Sequence, residues 1–277
     1  MCDQCDLWFH IKCMTITVTS YNILSQSDDE WYCSKCQLPN FSDSFFEDDD
    51  QNQYDDNNCE PESKGMHFIH LNARSLLTKI PELQTIAFKT KAAVISVTET
   101  WFDETITNTE ANIPGYTILR KDRNRCGGGV CMYIKENLAF TPMNLDEINK
   151  NDKFLCIELL LPKSKPIFVG TCYRPPQNCN FVEKFENFLS QLREDCEIIL
   201  LGDLNICFKD QSGSLYKSLN ELLKLFNLSQ IIKEPTRITE FTASVIDHIL
   251  CNNTEKISQS GNYELGRYLA TSRRKIE

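Results

Sequence analysis

Glu197-Ile198-Ile199-Leu200-Leu201-Gly202-Asp203-Leu204-Asn205 is an apolar run that ends on an acid and an amide. Its first half reads as a strand, and the ends of strands in layered sheets are where ligand and catalytic groups gather. The arrangement recurs along the chain. Asn72 follows the apolar strand Met66–Leu71, Glu99 follows the buried strand Ala92–Val97 and Thr98, and Tyr173 closes the strand Pro166–Tyr173. Asp247 lies inside Ser244–Leu250, the last clear strand signal. One polar strand end is ordinary. Several, of acid, amide and phenol type, point to a metal-dependent hydrolytic site.

Working outward, strands are also predicted at Phe154–Leu161 and at Val130–Ile134, after a tight turn at Gly127-Gly128-Gly129. Ile80, Leu83, Ile86 and Ala87 recur at helical spacing, as do Phe185, Phe188, Leu189 and Leu192, and then Leu215, Leu219, Leu222, Leu223 and Phe226. Many strands with few helices from residue 66 onward indicate a layered α/β or α+β domain.

The residue types suit phosphodiester cleavage. A carboxylate such as Glu99 fits a hard Mg²⁺ ion, which takes one or two carboxylates plus water. Asp203 can deprotonate or orient an attacking water. Asn72 and Asn205 can hold phosphate oxygens or that water without adding charge. The metal offsets the charge that builds on the phosphate.

Composition sets the surroundings. The 277 residues are 41% hydrophobic and carry a net charge of −10, which excludes a basic nucleic-acid-binding tail. The acid is concentrated: residues 1–65 hold 3 basic against 14 acidic residues, whereas 66–277 hold 26 against 25. A nearly neutral domain can still bind DNA if its basic groups share a face. The apolar runs are too short to cross a bilayer, and Met1-Cys2-Asp3-Gln4-Cys5 is no secretory signal, so no membrane contact is expected. Residues 37–65, with Glu47-Asp48-Asp49-Asp50 and Asp55-Asp56-Asn57-Asn58, are expected to form an acidic, disordered linker.

Five of the 14 cysteines fall in the first 36 residues. Cys2-x2-Cys5 and Cys33-x2-Cys36 have the spacing at which paired thiolates grip one tetrahedral zinc, and His10-x2-Cys13 sits between them. With Trp8 ahead of the histidine and Trp31-Tyr32 ahead of the last pair, residues 1–36 resemble the C-terminal part of a PHD-type zinc finger. The resemblance implies a zinc site of Cys2, Cys5, Cys33 and Cys36. His10 and Cys13 would belong to a second zinc site, expected to be incomplete because its two other partners would precede Met1. It also implies chromatin or a histone tail as a weak partner.

Leu71-Asn72-Ala73-Arg74-Ser75-Leu76, Thr98-Glu99-Thr100-Trp101, Tyr173-Arg174-Pro175-Pro176, Gly202-Asp203-Leu204-Asn205 and Ile246-Asp247-His248-Ile249 occur in that order. Together with Ile113-Pro114-Gly115-Tyr116, Arg120-Lys121-Asp122-Arg123 and the three glycines, they resemble the endonuclease/exonuclease/phosphatase superfamily in the form carried by non-LTR retrotransposons. The resemblance implies an α/β fold, a four-layered β-sandwich flanked by helices, over residues 66–277. It implies Mg²⁺- or Mn²⁺-dependent nicking of DNA, which primes reverse transcription, and hence a nuclear protein. Carried onto this chain, Glu99 would be the Mg²⁺ ligand, and Asn72 would lie beside metal and phosphate. Tyr173 would touch the phosphate, and Asp203 would activate the water that Asn205 helps to position. Asp247 would orient a histidine bonded to the scissile phosphate. Arg120 and Arg123 are either DNA contacts or surface salt-bridge partners.

That histidine belongs to a terminal Ser-Asp-His, and here the region reads Ser260-Gly261-Asn262-Tyr263-Glu264-Leu265-Gly266-Arg267-Tyr268-Leu269-Ala270-Thr271. The motif is absent between Gly266 and Arg267, so the domain is expected to be impaired or inactive. His248 adjoins Asp247 on a strand and must point to the other face. His67 and His70 precede Asn72, and each is expected to be a packed or exposed histidine rather than a replacement. Two rival functions follow: a catalytically dead module that only binds DNA or chromatin, and a small-molecule phosphoesterase. Tyr173-Arg174-Pro175-Pro176 speaks for the retrotransposon branch and against the second.

Overall fold

Side chains that alternate between two kinds of neighbour fix the layers of this protein. A computed structural model describes residues 65–123, 127–145, 153–176, 178, 180–193, 195–239, 241–262 and 268–274, the last seven and Lys153 by their backbone. In chain order the strands are β1 (Gly65–Asn72), β2 (Val94–Thr98), β3 (Tyr116–Lys121), β4 (Val130–Lys135), β5 (Ala139–Pro142), β6 (Lys153–Leu160) and β7 (Ile167–Tyr173). They continue with β8 (Glu197–Asp203), β9 (Ser229–Gln230), β10 (Arg237–Ile238), β11 (Ala243–Ser244), β12 (Asp247–Cys251), β13 (Ile257–Asn262) and β14 (Tyr268–Arg274). The helices are α1 (Ile80–Thr90), α2 (Phe181–Leu189) and α3 (Ser214–Leu225). One six-stranded sheet runs β13-β14-β1-β2-β4-β3, a second runs β5-β6-β7-β8-β12-β9, and β10 and β11 form a separate hairpin.

Phe68, Val94, Met132 and Ile134 of the first sheet pack on Ile157, Val169, Leu201 and Ile249 of the second. Their sequence neighbours face outward. Ile69, Ile95, Val97 and Tyr133 cover Leu83, Ile86 and Ala87 of α1. Phe154, Phe168, Leu200 and Leu250 cover the Phe and Leu stripes of α2 and α3. The order is helix, sheet, sheet, helix, the four-layered sandwich expected from the sequence. Phe154 stacks on Phe188 at 5.2 Å, and burial of each such ring stabilises the fold by about 1.5–3 kcal/mol.

The sequence reading differs from the structure at the ends of the chain. The first strand begins at Gly65, inside the stretch read as linker. Ser244 belongs to the β10–β11 hairpin, and the strand carrying the acid starts at Asp247 itself. Between them, the carbonyls of Val245 and Ile246 accept from Phe208 and Leu204, so these residues pair with the loop after β8 instead of extending β12. Two strands follow the one read as last. β13 is polar and largely exposed at a sheet edge, so it carries no apolar alternation to read. The sequence calls on 1–36 and nearly all of 37–65 lie outside the described residues.

Gly202 has no room for a side chain. It sits opposite Cys172 in the parallel β7–β8 pair, and a Cβ there would come within 1.8 Å of the Cys172 carbonyl oxygen. Gly202→Ala must push two central strands apart. The expected cost is at least about 3 kcal/mol, the upper end for overpacking, read as a lower urea midpoint at unchanged slope.

Candidate active site

The strand ends converge because of pairing and parity. β1 and β2 are parallel, with Asn72 opposite Thr98, and β7 and β8 are parallel, with Tyr173 opposite Asp203. β12 runs antiparallel to β8, so its first residue, Asp247, meets the last residue of β8, Asp203. Asn72, Tyr173, Asp203 and Asp247 all share the parity of residues that face the opposite sheet. The Asn72 side-chain amide donates to Asp203 Oδ2 at 2.6 Å, joining the site across the sandwich.

Glu99 sits just past β2 in a left-handed conformation, φ 56°. The Tyr173 hydroxyl donates to its Oε1, and Trp101 Nε1 donates to Oε2 at 2.8 Å. Backbone bonds hold this loop on both sides. Ser75 and Leu76 donate to the carbonyls of Glu99 and Thr100, while Thr100 and Trp101 donate to Gly129 and Gly128. Gly129 has φ +81°, and a Cβ there would lie 2.5 Å from Thr100 Oγ1. The triple glycine therefore braces the Glu99 loop, a role that its sequence signal, a tight turn, did not reveal.

The Asp203 Oδ1 accepts from the Asn205 backbone at 2.9 Å, and the Asn205 side chain donates to the Arg174 carbonyl at 2.9 Å. Arg174 is nearly fully buried and donates to the carbonyls of Pro176, Asn178, Leu204 and Asn205. It fixes the loop that carries Asn205, so the Tyr-Arg-Pro-Pro segment supplies a scaffold as well as a phenol. Sequence reasoning singled out Tyr173 alone.

Burial, then the neighbouring charge of Asp247, pushes the Asp203 carboxyl up to about 8. Burial, then its bond to Glu99, raises the Tyr173 phenol, which keeps its proton and stays a donor. Arg120 is engaged internally: it donates to Asp122 Oδ1 at 2.9 Å and to the Asp103 carbonyl at 3.0 Å, and lies 4.9 Å over the Phe102 ring. Arg123 is exposed and runs across Gly128 beside the Tyr173 ring. Of the two arginines, the structure brings only Arg123 to the site.

His248 faces away from Asp247, as parity requires. Its Nε2 lies 3.0 Å from the Ile206 carbonyl and its ring 4.5 Å from Phe208, and burial lowers it to about 4. His70 is different. It is 1% exposed and places Nε2 3.4 Å from Asp247 Oδ1. It is a packed histidine, as expected, but Asp247 has a histidine neighbour that the sequence reading did not assign.

The residues present fit a hard divalent cation. Asn72 Oδ1 is buried without a hydrogen-bond partner, beside a carboxylate group made up of Glu99, Asp203 and Asp247. Among the described residues, no three His, Cys, Asp or Glu side chains are arranged to hold a metal ion by themselves, so the amide of Asn72 belongs to the donor set.

The family model for the "Endonuclease/Exonuclease/phosphatase family" matches residues 20–268. The chain belongs to the endonuclease/exonuclease/phosphatase family. A PHD-finger model matches residues 1–36, so the six residues read as zinc ligands fall within it, outside the described residues. No curated protein matches the chain. Among solved structures, the family fold is shared with the endonuclease domain of TRAS1, a telomere-specific non-LTR retrotransposon, at 14% identity and TM-score 0.61, over 76% of this chain and 100% of that one. The AP endonuclease LMAP from Leishmania major matches at 15% identity and TM-score 0.64, over 82% of this chain and 92% of that one. An AP endonuclease from Archaeoglobus fulgidus matches at 11% identity and TM-score 0.57, over 76% of this chain and 100% of that one.

Proposed function

We propose that this family member is a retrotransposon-derived, Mg²⁺-dependent (or Mn²⁺-dependent) endonuclease that nicks DNA, slowed by loss of its Ser-Asp-His. The observation that carries the reading is the Asn72–Asp203 bond, which joins the ends of β1 and β8 into one site with Glu99, Tyr173 and Asp247. Glu99 would hold the metal, with Asn72 beside it; when bound, the metal neutralises charge building on the phosphate. Asp203 takes the proton of the attacking water, and the Asn205 backbone keeps its Oδ1 in place. Tyr173 steadies Glu99 through its hydroxyl and would touch the phosphate.

In this reading residues 1–36 form a PHD-type module whose Cys2, Cys5, Cys33 and Cys36 hold zinc. Residues from 66 onward form the nuclease, and the protein works on DNA in the nucleus. A supercoiled plasmid, incubated with Mg²⁺ and with EDTA as control, tests the activity. Accumulation of the nicked form with Mg²⁺ alone supports it. A second reading, a DNA-binding module without turnover, is favoured by one observation. Neither of the histidines in contact with the Asp247 strand, His70 and His248, is exposed. Duplex binding with no nicking at any Mg²⁺ or Mn²⁺ concentration decides for it. Turnover of soluble phosphoesters in place of plasmid decides for a small-molecule phosphoesterase.

Mg²⁺ binding provides a separate check. Glu99→Ala is expected to weaken it on the order of 10–100-fold. Asp103→Ala should leave it nearly unchanged, because Asp103 Oδ1 is engaged by the Thr105 backbone at 3.0 Å and its hydroxyl at 2.6 Å in a surface turn. Calorimetric titration with Mg²⁺ reads both, and equal losses from the two variants would mean that the metal site is misplaced.

A further inference from the structure

The core between the sheets is mostly apolar, and one connected line of polar side chains runs through it. Thr171, Ser96 and His70 are each at most 1% exposed, and they occupy inward-facing positions where Val169, Val94 and Phe68 stand one step further from the site. The line crosses between the sheets twice. Thr171 of β7 donates to Ser96 Oγ of β2 at 2.9 Å. Ser96 Oγ lies 3.3 Å from His70 Nδ1 on the neighbouring β1, and His70 Nε2 lies 3.4 Å from Asp247 Oδ1 on β12.

The proton positions follow from the ends. The carboxylate can only accept, so Nε2 carries the ring proton and Nδ1 accepts from the Ser96 hydroxyl. The Ser96 oxygen in turn accepts from Thr171. Every donor then points toward Asp247, and aligned bonds of this kind polarise one another. The contact of 3.4 Å is longer than a full hydrogen bond. However, both His70 Nε2 and Asp247 Oδ1 are buried and have no other hydrogen-bond partner among the described residues. Each is the other's available partner.

A line of buried hydroxyls and imidazole is a poor way to add stability, because apolar side chains of similar volume pack there at lower cost. Its placement gives it another use. We infer that His70 is a positioning residue for Asp247: the Thr171–Ser96–His70 line holds one carboxylate oxygen inward and so aims the other into the site. Asp247 retains 12% side-chain exposure although Oδ1 has none, so the oxygen facing His70 is not the part of the side chain open to solvent. The inference rests on Asp247 belonging to the nuclease site, as proposed above. His70, sealed in the core, holds Asp247 without replacing the absent phosphate-facing histidine.

The test needs no turnover. The chain has four histidines, so long-range proton–nitrogen spectra of the full ¹⁵N-labelled protein resolve each ring. His70 should carry its proton on Nε2, with Nδ1 as acceptor; a ring protonated on Nδ1 alone overturns the inference, and this result requires no variant to fold. The Asp247 side-chain ¹³C signal should shift in His70→Leu and return toward its original position in His70→Gln, whose amide can still donate. An Asp247 signal unmoved by His70→Leu in a folded protein also overturns it. A chain that passes both tests yet never nicks plasmid refutes the proposed nuclease reading and leaves the His70–Asp247 link standing.

Discussion

Inserting Ser-Asp-His between Gly266 and Arg267 is expected to raise Mg²⁺-dependent plasmid nicking by roughly two to three orders of magnitude, about 2.7–4 kcal/mol of transition-state stabilisation, the worth of one preorganised donor aimed at developing charge. The fold presents the place for it. β14 pairs antiparallel with β1, and Tyr268 stands opposite Leu71, one residue before Asn72. A motif that continues β14 ahead of Tyr268 would lie beside the strand end that carries Asn72. With His70 against Asp247 Oδ1, the other carboxylate oxygen is the one that would receive the new imidazole. A histidine held by that carboxylate donates to the phosphate as negative charge accumulates there. The gain should disappear when Asp247→Ala is added, because the pair acts as a unit. A few flanking apolar residues belong in the insertion if the added turn is to leave β14 in register. Equal nicking by the original and repaired chains would sink the idea.

The parts of the site that could be read in the sequence are those encoded by one strand and its end. Asn72, Glu99, Tyr173 and Asp203 each close or follow an apolar run, and for Asn72, Tyr173 and Asp203 parity along that run already fixes the face they occupy, whereas Glu99 lies past β2 with φ 56° and owes its place to its loop. What could not be read involves two strands distant in the chain. Nothing in Ile69-His70-Leu71 or in Ile246-Asp247-His248 says that β1 and β12 face each other across the sandwich, so the His70–Asp247 contact emerges only from the packing of the sheets. The adjacent His248 is nearer in sequence and farther in function, because strand parity turns it outward toward Phe208. Arg174 and Gly129 were hidden for a different reason: they act through backbone carbonyls and cleared space, which leave no pattern of residue types. The polar edge strand β13 has no apolar period at all.

Asp203→Asn is expected to lower nicking by the repaired chain on the order of 10²–10⁴-fold, the usual worth of a positioned general base, while making the metal-free protein more stable at alkaline pH. The two effects share one cause. Asp203 is almost fully buried, and its carboxyl is pushed up to about 8 by burial and then by Asp247. An unfolded aspartate titrates near 3.9. The folded state therefore binds the proton more tightly than the unfolded state. Its contribution to stability is fully present below about 3.9 and is lost as pH rises through about 8, where the buried carboxylate must ionise. An amide has no such titration. It can also keep the local bonds: it still offers one oxygen to the Asn205 backbone, and its NH₂ can donate to Asn72 Oδ1, the buried oxygen that now lacks a partner, once the Asn72 amide turns over. Urea unfolding in EDTA should show the variant gaining on the original chain steadily between about pH 4 and pH 8, the window between the two titrations. A stability difference that is flat with pH would show that Asp203 is not held protonated by its surroundings. Undiminished nicking by the Asn variant would remove it from the role of base. Activity lost and stability gained at one carboxylate is the pattern of a group kept where the fold pays for it and the chemistry needs it.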